Sequence, residues 1–187
     1  SVHAAALGDA TGCLLLPGLV SWRAPFALEA LACLVVAEFL NWTFHWAKHA
    51  HPFLWNFHFQ HHVESRYDVS LTLHTHGLEV VLAGTVMAVV LRLCGFSPGA
   101  VAVFSTTYYV ANLYKHCSWR ASLGWLDYVV VSPAFHRVHH ARDLDGNYGS
   151  VLTLFDVLFG TAVWPDEAIF AARSGTRGNE PFGFGAE

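Results

Sequence analysis

Nine histidines in this 187-residue chain stand at spacings that can do chemistry. His45 and His49 form an HxxxH. His58, His61 and His62 form an HxxHH, and His136, His139 and His140 repeat it as HRVHH. His116 closes an apolar segment four residues after Asn112. On a helix, residues three and four apart share a side, so each set presents its imidazoles together. Imidazole suits zinc, copper, iron and nickel, whereas hard cations prefer carboxylates. A structural zinc is satisfied by four ligands, so nine histidines point to two metal ions with four or five ligands each. One HxxxH alone is weak evidence. Two HxxHH and one HxxxH together are strong, because a buried imidazole without metal chemistry needs its own hydrogen-bond partner. His3 and His51 lack periodic partners and read as surface residues. His74 and His76 stand two apart and would diverge on a helix; His76, just before a helix start, is a pocket residue or a further candidate ligand.

Glu38 lies seven residues before His45, deep in a long apolar run. An acid inside such a segment is costly and by default marks function. It is expected to hold a histidine N–H and so fix the tautomer of a ligand.

The elements that must carry these side chains follow from hydropathy. Hydrophobic residues make up 54% of the chain and charged ones only 13%, against roughly 25% charged in soluble domains. With 14 Phe and 7 Trp, the chain is expected to meet lipid. The net charge of −4 excludes a nucleic-acid partner, which calls for basic clusters. Cys13, Cys33, Cys94 and Cys117 form no CxxC and read as free thiols. The run Cys13–Val20 is too short to span a bilayer, which takes about 20 residues. Phe26–Phe44 is long enough to cross. Leu78–Cys94 and Ala100 to about Lys115 form a helical hairpin around a GFSPG turn. One crossing followed by a hairpin puts His45, His49 and His116 on the same side, where the clusters at 58–62 and 136–140 also lie. Val63–Leu73 is polar enough for water or headgroups, and Trp125–Pro133 reads as a short interfacial or buried helix. Gly146–Gly149 is a turn by residue type. Val151–Phe159 is apolar apart from Asp156. The predicted architecture is all-α: an integral-membrane helical bundle under a helical cap that holds a dimetal site. It forms one domain with a core at about 26–165 and a solvent-facing tail at 166–187. The chain starts at Ser1 and its only methionine is Met87, so further residues are expected upstream.

This set of motifs resembles the fatty acid hydroxylase superfamily, which includes sterol desaturases, C-4 methyl sterol oxidases and alkylglycerol monooxygenase. The family pattern is an acid seven residues before HxxxH, then HxxHH, a histidine after a hairpin, and a second HxxHH. Here these are Glu38, His45/His49, His58/His61/His62, His116 and His136/His139/His140. The stretch PAFHRVHHARDLDGNYGSVLTLFDVLFGT, Pro133–Thr161, is similar to the family's C-terminal signature, and His76-Gly77-Leu78-Glu79 to its HPxE element. The resemblance implies a di-iron oxygenase that uses O2 to hydroxylate or desaturate a fatty acyl, sterol or related lipid; zinc is an alternative occupant on purification. It further implies a metal site on the cytosolic face of a bacterial inner membrane or endoplasmic reticulum. Electrons would come from a separate donor such as a cytochrome b5-like protein, a ferredoxin or a reductase. There are departures: Glu38 stands where Asp is common, Gly77 replaces the Pro of HPxE, and Asn112 stands where some members have a histidine. Asn112 could orient a metal-bound water. The usual N-terminal membrane helices are shortened or absent in this stretch.

Two other readings compete. A non-catalytic metal- or haem-binding membrane protein would use histidines, but two per haem suffice and the triplets exceed that. A zinc hydrolase would need an acid within a motif such as HExxH, which is lacking here.

Overall fold

The computed structural model describes residues 19, 21–64, 66–119, 123–141 and 144–165. These fold into six α-helices: α1 Phe26–Ala50, α2 Pro52–His62, α3 Gly77–Leu93, α4 Pro98–Lys115, α5 Pro133–His139 and α6 Leu154–Phe159. Among the described residues there is no strand, and Val130 and Leu152 form an isolated antiparallel bridge. The all-helical expectation holds there. The segment Cys13–Val20 and the tail 166–187 lie outside the described residues, Leu19 excepted.

Local chemistry sets the helix ends. Prolines open α2, α4 and α5 at a position whose N–H has no helical partner. Ser97 Oγ caps α4 at Ala100 N, and Ser132 Oγ caps α5 at Phe135 N. Gly160 ends α6 at φ 72°, a left-handed conformation that favours glycine. Glu29, in the first turn of α1, accepts from Ser97 N at 2.6 Å and so fastens the hairpin bend to the start of α1.

α1 is the spine, against which α2, α3, α4 and α6 all pack. Small residues line its crossing with the hairpin: Cys33 and Ala37 meet Ala100, with Leu91, Phe96 and Phe104 closing that core. The other side of α1 places Trp42 against Tyr148 and Phe155. Among the described residues α1 is the one helix long and apolar enough to cross a membrane. Leu28, Leu31 and Phe39 of α1, Val80, Val81 and Leu82 of α3, and Val103 and Val110 of α4 stay exposed.

Two expectations change. The segment Trp125–Pro133 is not a helix: a single 3-10 turn, Gly124–Tyr128, gives way to the bridge at Val130. Three β-branched valines in a row, 129–131, favour that extended exit. The stretch Val63–Leu73 is not simply solvated, because it folds a 3-10 turn over Val69–Leu73 and buries Tyr67 and Leu71. Tyr67 donates to the carbonyl of Lys115 at 2.6 Å, which ties this stretch to the end of α4.

Candidate metal centre

All nine histidines of the motifs converge, and they divide into two groups. The first holds His45 and His49 of α1, His58 and His62 of α2, and His139 of α5. The second holds His61 of α2, His116 at the end of α4, and His136 and His140 at α5. Within each group the ligand atoms lie within 4.8 Å of one another. The two HxxHH motifs therefore do not serve one ion apiece. Adjacent helical residues stand about 100° apart, so His61 turns away from His62, and His139 from His140. Each triplet gives its i, i+4 pair to one group and its remaining histidine to the other, which leaves α2 and α5 straddling both.

The geometry suits metal ions. Within the first group, the Nε2 atoms of His45 and His58 are 3.0 Å apart, as are those of His139 and His62. In the second, His136 and His116 stand at 3.1 Å, and His140 and His136 at 3.3 Å. Nitrogens about 2.1 Å from a shared ion stand about 3.0 Å apart at right angles and about 3.4 Å apart in a tetrahedron.

The opposite ring nitrogens fix the tautomers. Nδ1 of His45, His116 and His139 donates to the carbonyls of Tyr148, Asn112 and Gly146, each at 2.8 Å. Nδ1 of His61 donates to the carbonyl of His74 at 3.3 Å, and Nδ1 of His58 to Glu79 Oε1 at 3.1 Å. A carbonyl can only accept, so these imidazoles carry their proton on Nδ1 and turn a bare lone pair inward. Two bare lone pairs 3.0 Å apart, as in His45 and His58, repel each other unless they share a cation. His49 Nε2 is also buried and without a hydrogen-bond partner in the protein.

Burial keeps the rings neutral and ready to ligate. It pushes His61 down to about 3 and His116 down to about 2, and it lowers His58, His62, His136, His139 and His140 well below the ordinary value of 6.5. The unfolded chain takes up protons below 6.5 that the folded chain refuses, so these histidines favour the fold above that pH. Stability is lost as pH falls, at about 1.4 kcal/mol per pH unit for each buried ring. Melting temperature and bound metal are both expected to drop steeply between pH 6.5 and pH 5. An unchanged melting temperature across that interval would contradict the neutral-imidazole assignment.

Glu38 does not touch a histidine, contrary to expectation. Its buried Oε1 accepts three successive backbone N–H groups, from Ser150 at 2.6 Å, Val151 at 2.9 Å and Leu152 at 3.2 Å. The segment it grips supplies the carbonyls of Gly146 and Tyr148 that orient His139 and His45. Asp156 holds the same segment from the far side through Tyr148 N and Gly149 N, and it also accepts from Trp42 Nε1 and Thr161 Oγ1. Asn147, at φ 58°, ties the segment to Phe135 and Val163. The GNYG stretch, expected as a turn, is thus a buried strut. Asp156 was detectable by the rule that picks out Glu38: it is a lone acid in an apolar run.

Asn112 acts through its backbone. Its side-chain amide donates to Tyr108 O at 2.8 Å, and its carbonyl holds His116. His76 is exposed and belongs to neither group; its Nδ1 accepts from Leu78 N and caps α3, so the candidate-ligand reading of His76 is corrected. His74 contributes its carbonyl only. His51 is exposed between α1 and α2.

A cavity of about 500 Å³ opens beside the histidines. His45, His58, His61 and His116 line one end together with Lys48, Glu79 and Lys115, and the far end is apolar, with Met87, Leu91, Val101 and Phe104. Lys48 Nζ pairs with Glu79 Oε1 at 2.6 Å, so the carboxylate that holds His58 is itself held by a cation.

The fatty acid hydroxylase family profile matches residues 30–161, more than half of the chain. Ornithine lipid hydroxylase OlsE of Rhizobium tropici is 32% identical over 141 residues, which cover 73% of this chain and 42% of that protein. Human alkylglycerol monooxygenase is 30% identical over 66% of this chain and 28% of its own length. A very-long-chain aldehyde decarbonylase, GL1-1 of Oryza sativa subsp. indica, is 30% identical over 72% of this chain and 23% of its own. The chain spans less than half the length of these curated relatives. No solved structure matches it.

Proposed function

The chain belongs to the fatty acid hydroxylase family, and from that premise we propose that it is a membrane-bound oxygenase that hydroxylates or desaturates a lipid. The reading takes two iron ions, O2 as co-substrate and electrons from a separate protein donor. The observation that carries it is the joint convergence of nine inward-facing imidazoles and an apolar cavity that ends on four of them. Bound iron would supply reductive activation of O2 and removal of hydrogen from an unactivated C–H bond. In hydroxylation, one oxygen atom enters the lipid and the other leaves as water, with two electrons and two protons drawn from outside.

The chain's own residues do the rest. His45, His49, His58, His62 and His139 hold one ion, and His61, His116, His136 and His140 hold the other. The carbonyls of Tyr148, Asn112, Gly146 and His74 lock the rings, so little reorganisation is needed when metal binds. The cavity excludes water from the reacting carbon and lays an acyl chain between α3 and α4. The exposed apolar residues of α1, α3 and α4 face lipid in this reading, with the hairpin in the bilayer and the metal site on the cytosolic side of a bacterial inner membrane or endoplasmic reticulum.

Expression in a lipid-producing host tests this. Oxidised lipids are expected with the intact chain and not with His139→Ala. Identical lipid profiles with metal-loaded protein in the membrane would overturn the reading.

A further inference from the structure

The metal-side end of the cavity contains two donors that hydrogen-bond neither the histidine groups nor the strut. Lys115, the last residue of α4, is 3% exposed and lines the cavity. Its ammonium has the buried carboxylate of Glu38 as its electrostatic partner and, among the described residues, no hydrogen bond or ion pair within 4 Å. Asn41, on α1 and one turn before His45, also lines the cavity, and its Nδ2 is buried without a partner. A buried ammonium that meets its counter-charge only at a distance, and a buried amide N–H with no acceptor, both carry a desolvation cost. Both costs fall if a ligand brings an acceptor oxygen to this spot.

The rest of the cavity fixes which way such a ligand lies. From Glu79 to Leu91 the α3 wall runs about 18 Å at 1.5 Å per residue. Beyond Gly84 it is lined on that helix by Met87, Ala88 and Leu91, facing Val101 and Phe104 of α4. Ser105 of α4 is the one polar side chain beside them in the lining; apart from its hydroxyl, a polar group buried here would lose its hydrogen bonds to water with nothing in exchange. An apolar chain fits there better than a polar end.

We propose that Lys115 Nζ and Asn41 Nδ2 form an anchor for an acceptor oxygen at the polar end of the lipid, so that the chain enters tail first and is oxidised close to its polar end rather than at its terminal methyl. This rests on the lipid-oxygenase reading and adds to it the substrate's orientation and the part of it that is recognised. The shared chemistry is an acceptor oxygen, whether a neutral ester or a carboxylate.

The test uses the metal-loaded full chain in nanodiscs and measures displacement of a fluorescent fatty-acyl probe by hexadecane, methyl palmitate and palmitate. Methyl palmitate or palmitate is expected to bind at least about 10-fold more tightly than hexadecane, the scale of one charge-assisted hydrogen bond. Lys115→Met and Asn41→Leu should each shrink that gap to below about threefold, with hexadecane binding unchanged and, in Asn41→Leu, metal content unchanged. If Lys115→Met fails to fold, Asn41→Leu carries the test alone. Tighter binding of palmitate than of the ester identifies the oxygen as a carboxylate, and equal binding identifies it as neutral; either supports the anchor. Equal binding of hexadecane and both oxygenated probes to the unmodified protein, or a gap that survives in the variants, overturns it. Failure of every probe to bind metal-loaded protein would defeat the lipid reading itself.

Discussion

His61→Ala is expected to leave a folded chain that has lost about one metal ion and more than 99% of its lipid oxidation. His61 belongs to the four-membered group, so its removal leaves only His116, His136 and His140. Loss of a partner that merely orients a ligand costs about 10–100-fold in affinity or activity, and loss of the ligand itself should exceed that. His139→Ala tests the other group, which falls from five ligands to four. It should therefore keep more metal than His61→Ala while still losing turnover. Metal analysis and product analysis of the same preparations check both. Full activity with both ions retained in either variant would refute the assignment.

Gly149→Ala is the second large effect, and it touches no histidine. A Cβ on Gly149 would collide with the carbonyl of Leu152, would lie 2.9 Å from Asp156 Oδ2, and would stand 3.3 Å from Val131 Cγ2. The two nearest neighbours cannot yield: the Leu152 carbonyl is backbone, and the carboxylate already accepts from Tyr148 N and Gly149 N. Moving the segment would release the three amides from Glu38 and shift the carbonyls that orient His45 and His139. The expected result is a loss of about 3 kcal/mol or more of stability with metal affinity down about 10–100-fold. Gly77→Ala is the control, since a Cβ there meets nothing within 4 Å and should change stability by less than about 0.5 kcal/mol. Thermal melts and metal titration of the two variants separate these outcomes. Equal behaviour of the two would mean that the strut does not position the site.

Much of the centre was legible because helical spacing is a property of residue type and order. HxxxH, both HxxHH motifs and His116 could be named from it, and a count of nine ligands already called for two ions. The division into groups was less accessible. Reading three and four residues apart as one face hides the roughly 100° between His61 and His62, which sends them to different groups. The partners of the rings were not legible at all, since the carbonyls of Tyr148, Gly146, His74 and Asn112 have no side-chain signature. Glu38 was rightly singled out as a buried acid, but three amides more than 100 residues away, at Ser150 to Leu152, compete for it and win. The GNYG stretch looked like a turn because glycine and asparagine mark turns. Here they allow a close backbone approach instead. His76 shows the converse: a histidine beside a motif, taken up by a helix cap.

The most direct test of the dimetal centre is metal stoichiometry combined with absorption and X-ray absorption spectroscopy on protein loaded with iron. Two non-haem irons per chain, each in a shell of imidazole nitrogen, is the predicted result. A Soret band, or a single ion that saturates the chain with all nine histidines intact, would contradict it.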